Sequence, residues 1–260
     1  MRITQDHNIS LFCIMDKIGI ATLQNKRQYM EDTYVVSPLK SPCNFMVGVF
    51  DGHGGDEVAK ICRENFKEVL QQSLVTYTHD VNIAIRAAFA SADSLVKQLG
   101  ASSTVGSTAV IAIVTKDRIW FANAGDSMAM AVVYGQPMLF SSEHKVENEK
   151  DRIKAEGGYI TYWDGVARVN GTLNVSRALG DYYLKKHVNS DPFLKSCKLS
   201  EVSYFLLASD GIWDVMSCQD IHAIVSKIGL ENTKDAADAV VKVAVERGST
   251  DNITVLLVPL

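Results

Sequence analysis

From Val81 onward, apolar residues fall at 81, 85, 88, 89, 92, 95, 96 and 99, a stripe at helical spacing that stops at Gly100. The stretch 56–74 behaves the same way, with Val58, Ile61, Cys62, Phe66, Val69 and Leu70 on one side. Further patterns predict helices over 218–228 and 234–247, and a shorter one over 147–156 that ends at Gly157-Gly158. Between them lie β-branched and aromatic runs at 33–36, 44–50, 107–115, 119–123, 128–134, 203–208 and 253–258. Most of these are apolar nearly throughout, which suits strands covered on both faces. They follow one another through turns such as Lys116-Asp117 and Gly135-Gln136 with no helix between, so antiparallel meanders are expected rather than βαβ units. Helices come in separate blocks, which points to layered α+β architecture. No linker or internal repeat interrupts the pattern, so 1–260 reads as a single domain with 1–17 as an N-terminal extension or edge segment.

Composition narrows the function classes. The 260 residues include 30 Asp and Glu against 26 Lys and Arg, a formal net charge of −4, with 47% hydrophobic residues. Ordinary hydrophobicity excludes a disordered chain. The acidic balance argues against a nucleic-acid or anionic-membrane binder, which would rest on excess Lys and Arg. Five cysteines, at 13, 43, 62, 197 and 218, are scattered and never form C-x-x-C, so neither a disulfide framework nor a zinc site is expected. A reducing compartment, cytoplasmic or nuclear, follows as the default. None of the five precedes Arg by six residues, so the phosphate loop of cysteine phosphatases is absent. The apolar run 9–15 is short and flanked by Asp6 and Asp16, which does not fit a signal peptide, and nothing approaches the roughly 20 apolar residues of a membrane span.

The informative residues stand where apolar strands stop. One run ends in Asp51-Gly52-His53-Gly54-Gly55, another in Asn123-Ala124-Gly125-Asp126-Ser127, and a third in Asp210-Gly211. Asp251-Asn252 opens the last strand, and Glu31-Asp32 opens an early one with Arg27 four residues upstream. Singly, each Asp-Gly is an ordinary turn, and Arg27 with Glu31 an ordinary solvated pair. Together they have another consequence if a sandwich gathers these ends at one rim. Two ionised carboxylates about 5 Å apart at an effective dielectric near 20 repel by about 3 kcal/mol. Such a rim must hold protons or bind a cation. Clustered carboxylates with backbone oxygens suit Mg²⁺ or Mn²⁺. With Arg to hold phosphate oxygens and His to protonate a leaving group, the chemistry reaches metal-dependent phosphoester hydrolysis. It leaves protein, nucleotide and sugar phosphates equally open.

Seven motifs in order go further: Arg27-x-x-x-Glu31-Asp32, Asp51-Gly52-His53-Gly54-Gly55, Gly106-Ser107-Thr108-Ala109, Asn123-Ala124-Gly125-Asp126-Ser127, Val175-Ser176-Arg177-Ala178-Leu179-Gly180-Asp181, Ser209-Asp210-Gly211-Ile212-Trp213-Asp214 and Asp251-Asn252-Ile253-Thr254. From about residue 18 to the end, the chain resembles the type 2C metal-dependent protein serine/threonine phosphatases, in the eukaryotic style given Met30-Glu31-Asp32. The resemblance implies an α+β fold in which a central sandwich of two antiparallel sheets is flanked by helices on both faces. It implies that Asp51 bridges two Mg²⁺ or Mn²⁺ ions, with the Gly52 carbonyl on one and Asp210 and Asp251 on the other. Glu31 and Asp32 would hold metal-bound waters, Asp126 with Asp210 a weaker third ion, and Asp214 would lie just behind. Arg27 would bind the phosphate and His53 act as general acid, while a metal-bridging hydroxide attacks phosphoserine or phosphothreonine of a protein substrate. A monomer is expected. The alternatives are a pseudophosphatase of the same fold acting as a binding module and a small-molecule phosphohydrolase.

The sequence departs from the family pattern at Met128, where Arg usually follows Gly-Asp-Ser, and at Glu143-His144-Lys145, usually Asp-His-Lys. His144 is expected to be a structural loop histidine, and Gly106-Ser107-Thr108-Ala109 and Ser176-Arg177 to be structural. The segment 157–172 corresponds to the variable flap beside the active site, with Trp163 expected to pack and anchor it or, alternatively, to face solvent and contact a partner. Lys185, Lys186 and His187 read as a solvated loop or, alternatively, a docking patch.

Overall fold

The computed structural model describes residues 14–41 and 43–260. One sheet has the order β1-β14-β13-β7-β8, built from β1 (Gly19–Leu23), β14 (Ile253–Pro259), β13 (Val202–Ala208), β7 (Met128–Val133) and β8 (Gln136–Leu139). The other runs β11-β4-β3-β5-β6-β12, with β2 also on β3: β11 (Leu179–Gly180), β4 (Gly106–Ser107), β3 (Cys43–His53), β5 (Ala109–Thr115), β6 (Arg118–Ala124), β12 (Phe193–Lys198) and β2 (Asp32–Pro38). All pairings between these strands are antiparallel.

The apolar runs have their explanation in three stacked cores. Along β3, Phe45, Val47 and Val49 face the opposite sheet, where they meet Phe205, Leu207, Leu256 and Val258. The intervening Met46 and Phe50 face outward against α1 (Glu57–Thr76) and α2 (Val81–Gln98), packing with Phe66 and Phe89. On the other side, Leu206, Val255 and Leu257 meet α5 (Cys218–Ile228) and α6 (Thr233–Glu246) through Ile221, Val225 and Val240. Every central strand is therefore buried on both faces, and polar residues are displaced to its ends. The expected helix–sheet–sheet–helix layering is what the structure shows.

The helical stripes end within two residues of where periodicity placed them. The region 147–156 divides into a 3₁₀ turn, Val146–Glu149, and a short helix α3, Lys150–Ala155. The run 107–115 is broken at Thr108 into β4 and β5. Sequence reading passed over β1, β8, β11 and β12. Each lies at a sheet edge; in β1, β8 and β12 fewer positions are buried and the apolar signal is correspondingly thin, while β11 is buried but only two residues long. Asp210 also differs from the turn expected there: it opens a single helical turn, α4 (Asp210–Trp213). Residues 1–13 of the proposed N-terminal extension, Cys13 included, lie outside the described residues.

Candidate metal centre

Strand register brings the acidic residues together. Asp32, the first residue of β2, pairs directly with Asp51 near the end of β3, placing two carboxylate-bearing positions opposite one another. Like charges so placed are destabilising unless something offsets them. Asp32 is buried, and its Oδ2 accepts a 2.8 Å hydrogen bond from Ser209 Oγ, the residue before Asp210. Ser209 Oγ in turn accepts from the Thr254 amide at 2.9 Å. This hydroxyl thus ties the two sheets at the rim where β2, β13 and β14 meet.

Asn252 fixes the loop before β2. Its side-chain amide donates to the carbonyls of Gln24 and Tyr29, at 2.9 and 3.0 Å, and its Oδ1 accepts from the Glu31 amide at 2.8 Å. Those bonds carry Arg27 and Glu31 to the start of β14. Gly52 is required by close approach, since a Cβ there would stand 2.7 Å from the Glu31 carbonyl oxygen. Its own amide donates to that oxygen at 3.2 Å.

Arg27, Glu31, Asp51, Gly52, His53, Asp126, Asp210, Asp214 and Asp251 line one cavity of about 240 Å³, with Thr108, Asn174 and Asn252 completing its walls. Asp32 lies behind it. This cavity is smaller than an apolar groove of about 610 Å³ lined by Met128, Leu139 and Trp213, but that groove has no charged side chain in its walls. Met128, the departure from the family pattern after Gly-Asp-Ser, is buried there.

Electrostatics make the cavity unusual. Burial, then the neighbouring Asp210, Asp32, Asp126 and Asp251, pushes the Asp51 carboxyl well above the ordinary carboxylate range. Asp210 is raised well above it too, by burial and then by Asp126 and Asp251. Burial lifts Asp32 and Asp126 to about 6, partly offset by Ser209 at the first and Lys145 at the second. Arg27 pairs with Asp251. Burial opposes its charge, but Asp251, Asp210 and Asp51 outweigh burial and hold the guanidinium more firmly protonated. Lys145 bonds Asp214 at 2.8 Å and Glu143 at 3.1 Å, so Asp214 is partly neutralised by a cation of the protein itself.

Among the described residues no three of these side chains already converge as a finished metal cluster. Instead, Asp32 Oδ1 and Asp126 Oδ2 are buried with no hydrogen-bond partner. Orphaned carboxylate oxygens in a wall of like charge want a cation or its waters. The donor set is all oxygen, the preference of Mg²⁺ and Mn²⁺. The residues fit such ions.

Several expectations outside the cavity are met. His144 is buried, its Nδ1 within 3.2 Å of the Gly125 backbone, and burial lowers its pKa to about 4. Arg177 braces Glu149, which Arg152 and Ser176 also bond. Thr108 Oγ1 meets Ser127 Oγ at 2.6 Å, joining two strand ends beneath Asp126. Two expectations fail. Trp163 does not anchor the flap: at the end of β9 (Ile160–Trp163), which pairs with β10 (Val166–Val169), it is 69% exposed. Nor do Lys185 and His187 form a solvated loop or docking patch. Lys185 is held by Asp93 at 2.7 Å and by the carbonyls of Ala178 and Gly180, and His187 is buried. The charge run misled because a lysine with enough carbonyl and carboxylate partners can turn inward. Sequence reasoning also gave no role to Asn252 or to Asp181, whose Oδ2 lies 2.7 Å from His53 Nε2. Their only signal was a polar residue inside a motif already assigned to something else.

The family model described as Protein phosphatase 2C matches residues 16–253, which is most of the chain and includes every residue that lines the cavity. The chain belongs to the protein phosphatase 2C family. Two plant members illustrate the relationship. "Probable protein phosphatase 2C 71" of Arabidopsis thaliana is 37% identical over 92% of this chain and 54% of its own length. "Probable protein phosphatase 2C 59" of the same species is 36% identical over 92% of this chain and 78% of its own. The chain thus spans about half of the first relative. Among solved structures, a C. elegans sex-determining protein superimposes with a TM-score of 0.86 at 25% identity, covering 93% of this chain and 64% of that one. A serine-threonine phosphatase 2C from Toxoplasma gondii gives 0.77 at 23% identity, covering 93% and 94%, and supports the fold.

Proposed function

We propose that this protein phosphatase 2C family member is a Mg²⁺- or Mn²⁺-dependent phosphatase that hydrolyses phosphoserine and phosphothreonine in proteins. The supporting observation is one cavity in which Arg27 and His53 stand among six carboxylates, with buried carboxylate oxygens left unpartnered. Asp51, the Gly52 carbonyl, Asp210 and Asp251 would hold two ions, and Asp126 with Asp210 a weaker third. Glu31 and Asp32 would orient their waters, and Asp214, tied to Lys145, would sit behind. When bound, divalent cations supply Lewis-acid charge and activate water for in-line displacement. Arg27 binds the phosphate oxygens with its planar fork once a substrate dianion competes with Asp251 for it. A water oxygen, its proton lost to solvent, forms the new bond to phosphorus as the bond to the serine or threonine oxygen breaks; that oxygen leaves with the electron pair, and His53 gives it a proton. No enzyme nucleophile is needed. We read the protein as a monomer, and place it in a reducing compartment, cytoplasmic or nuclear, a placement supported by the four cysteines among the described residues being unpaired. No helix among the described residues is long and apolar enough to cross a membrane.

The test is hydrolysis of an aryl phosphate and of a phosphothreonine peptide with Mn²⁺, with Mg²⁺ and with chelator. Turnover of both substrates that depends on metal is expected. No turnover with either metal would favour a binding module instead, and activity that survives chelation would refute the metal mechanism.

A further inference from the structure

We propose that Asp181 is a positioning residue that fixes the His53 ring, occupying Nε2 so that Nδ1 is the nitrogen presented to the leaving group. This rests on the general-acid reading of His53 given above. The His53 side chain is 26% exposed at the cavity, while that of Asp181 is fully buried. The Nε2 to Oδ2 distance is 2.7 Å, and Asp181 Oδ1 has no partner at all. A buried carboxylate with one oxygen unsatisfied is costly to the fold, so its retention calls for a use beyond packing.

The backbone is built around this pair. His53 on β3 pairs with Gly106 on β4, and Gly106 pairs with Gly180 on β11. Asp181, the next residue, therefore reaches across the place where the Gly106 side chain would stand. A Cβ on Gly106 would collide with both Asp181 Oδ2 and His53 Nε2. Asp181 itself is held at φ 50°, in the left-handed region, with its amide donating to the Val105 carbonyl at 3.0 Å. Behind it, Asp93 Oδ1 accepts from the Gly180 amide at 2.9 Å and from Lys185 Nζ at 2.7 Å, and Lys185 also donates to the carbonyls of Ala178 and Gly180. These bonds fix the carboxylate before any substrate arrives. A carboxylate on one ring nitrogen sets the tautomer and the direction of the other, as in other carboxylate–histidine pairs. Asp181 touches no substrate; it acts through His53.

A merely structural pin would slow all substrates alike, so the test compares leaving groups. Asp181→Asn, His53→Gln and the double variant are assayed with Mn²⁺ on p-nitrophenyl phosphate, whose leaving group needs little protonation, and on a phosphothreonine peptide. Asp181→Asn is expected to lose about tenfold more kcat on the peptide than on the aryl ester. It is expected to add no further peptide loss in the His53→Gln background. Equal losses on the two substrates, or multiplicative losses in the double variant, would overturn the proposal. Long-range ¹H–¹⁵N correlation of the wild-type protein, at a pH above the ordinary histidine range, gives a second reading that needs neither turnover nor a variant that folds. One tautomer with the proton on Nε2 is expected for His53, and a proton on Nδ1 or an averaged pair would overturn the proposal. A wild-type protein inactive with both metals would refute the proposed function while this spectrum still reports on the pair.

Discussion

Asp126→Asn isolates the cost of gathering carboxylates in one buried cavity. Asp126 is 2% exposed, and its Oδ2 has no partner. Burial raises its pKa from 3.8 to about 6. Because the folded value lies above the unfolded one, the folded state binds the proton more tightly. The resulting stabilisation is complete below about pH 4 and is lost as the pH rises through about 6. At 1.36 kcal/mol per pKa unit, the loss between these limits is about 3 kcal/mol. Asparagine keeps the shape and cannot ionise, so the variant escapes that loss. A chain of this size shifts its Tm by about 2–4 °C per kcal/mol. In chelator at pH 7.5 the variant should melt roughly 6–12 °C above wild type, and at pH 4.5 most of the advantage should vanish. Differential scanning fluorimetry across that pH range provides the comparison. Adding Mn²⁺ should narrow the gap at pH 7.5 by stabilising wild type more than the variant. An offset that does not change with pH, or a variant that melts lower at pH 7.5, would refute the argument.

Three further outcomes follow from the same geometry. Asp210→Asn should abolish metal-dependent turnover while circular dichroism stays native, and a fully active variant would contradict its assignment as a ligand. Arg27→Ala should weaken phosphopeptide binding, seen as a KM increase of about tenfold or more from loss of a bidentate charge-assisted contact; an unchanged KM would remove Arg27 from the phosphate site. Phe205→Ala should cost about 3–5 kcal/mol in denaturant unfolding, because the ring is fully buried between the sheets and meets Phe121 edge-on at 5.5 Å. A cost under about 1 kcal/mol would mean that the inter-sheet core refills the space.

Much of the fold was legible along the chain because burial leaves a local mark. Strands such as β3 and β14, covered on both sides, read as unbroken apolar runs, and α2 reads as a stripe that ends at glycine. The edge strands β1, β8 and β12 carried too little buried surface to leave such a mark. The motifs named residues that the fold brings to one cavity: Asp51, Asp126, Asp210 and Asp251 stand beside strands whose apolar runs mark them, while Arg27 lies in the loop before β2 and Asp214 just after α4. Exposure was harder to read: Trp163 and Lys185 exchanged the environments that their side-chain types suggest, and only packing against Asp93 and the absence of packing around the flap tip decided which.

The sequence by itself determined the long helices, the central strands and the fact that carboxylates interrupt apolar runs at strand ends. Those follow from period and composition within single segments. Tertiary structure decided that the ends share one rim: Asp32 opposite Asp51, Ser209 Oγ joining the sheets, and Asn252 drawing the Arg27 loop onto β14. It also decided that Asp181 meets His53 across a bare Gly106. These contacts join residues separated by up to 228 positions. Spacing along a chain fixes the direction in which a side chain points from its own element, but only strand register and sheet stacking fix what it meets.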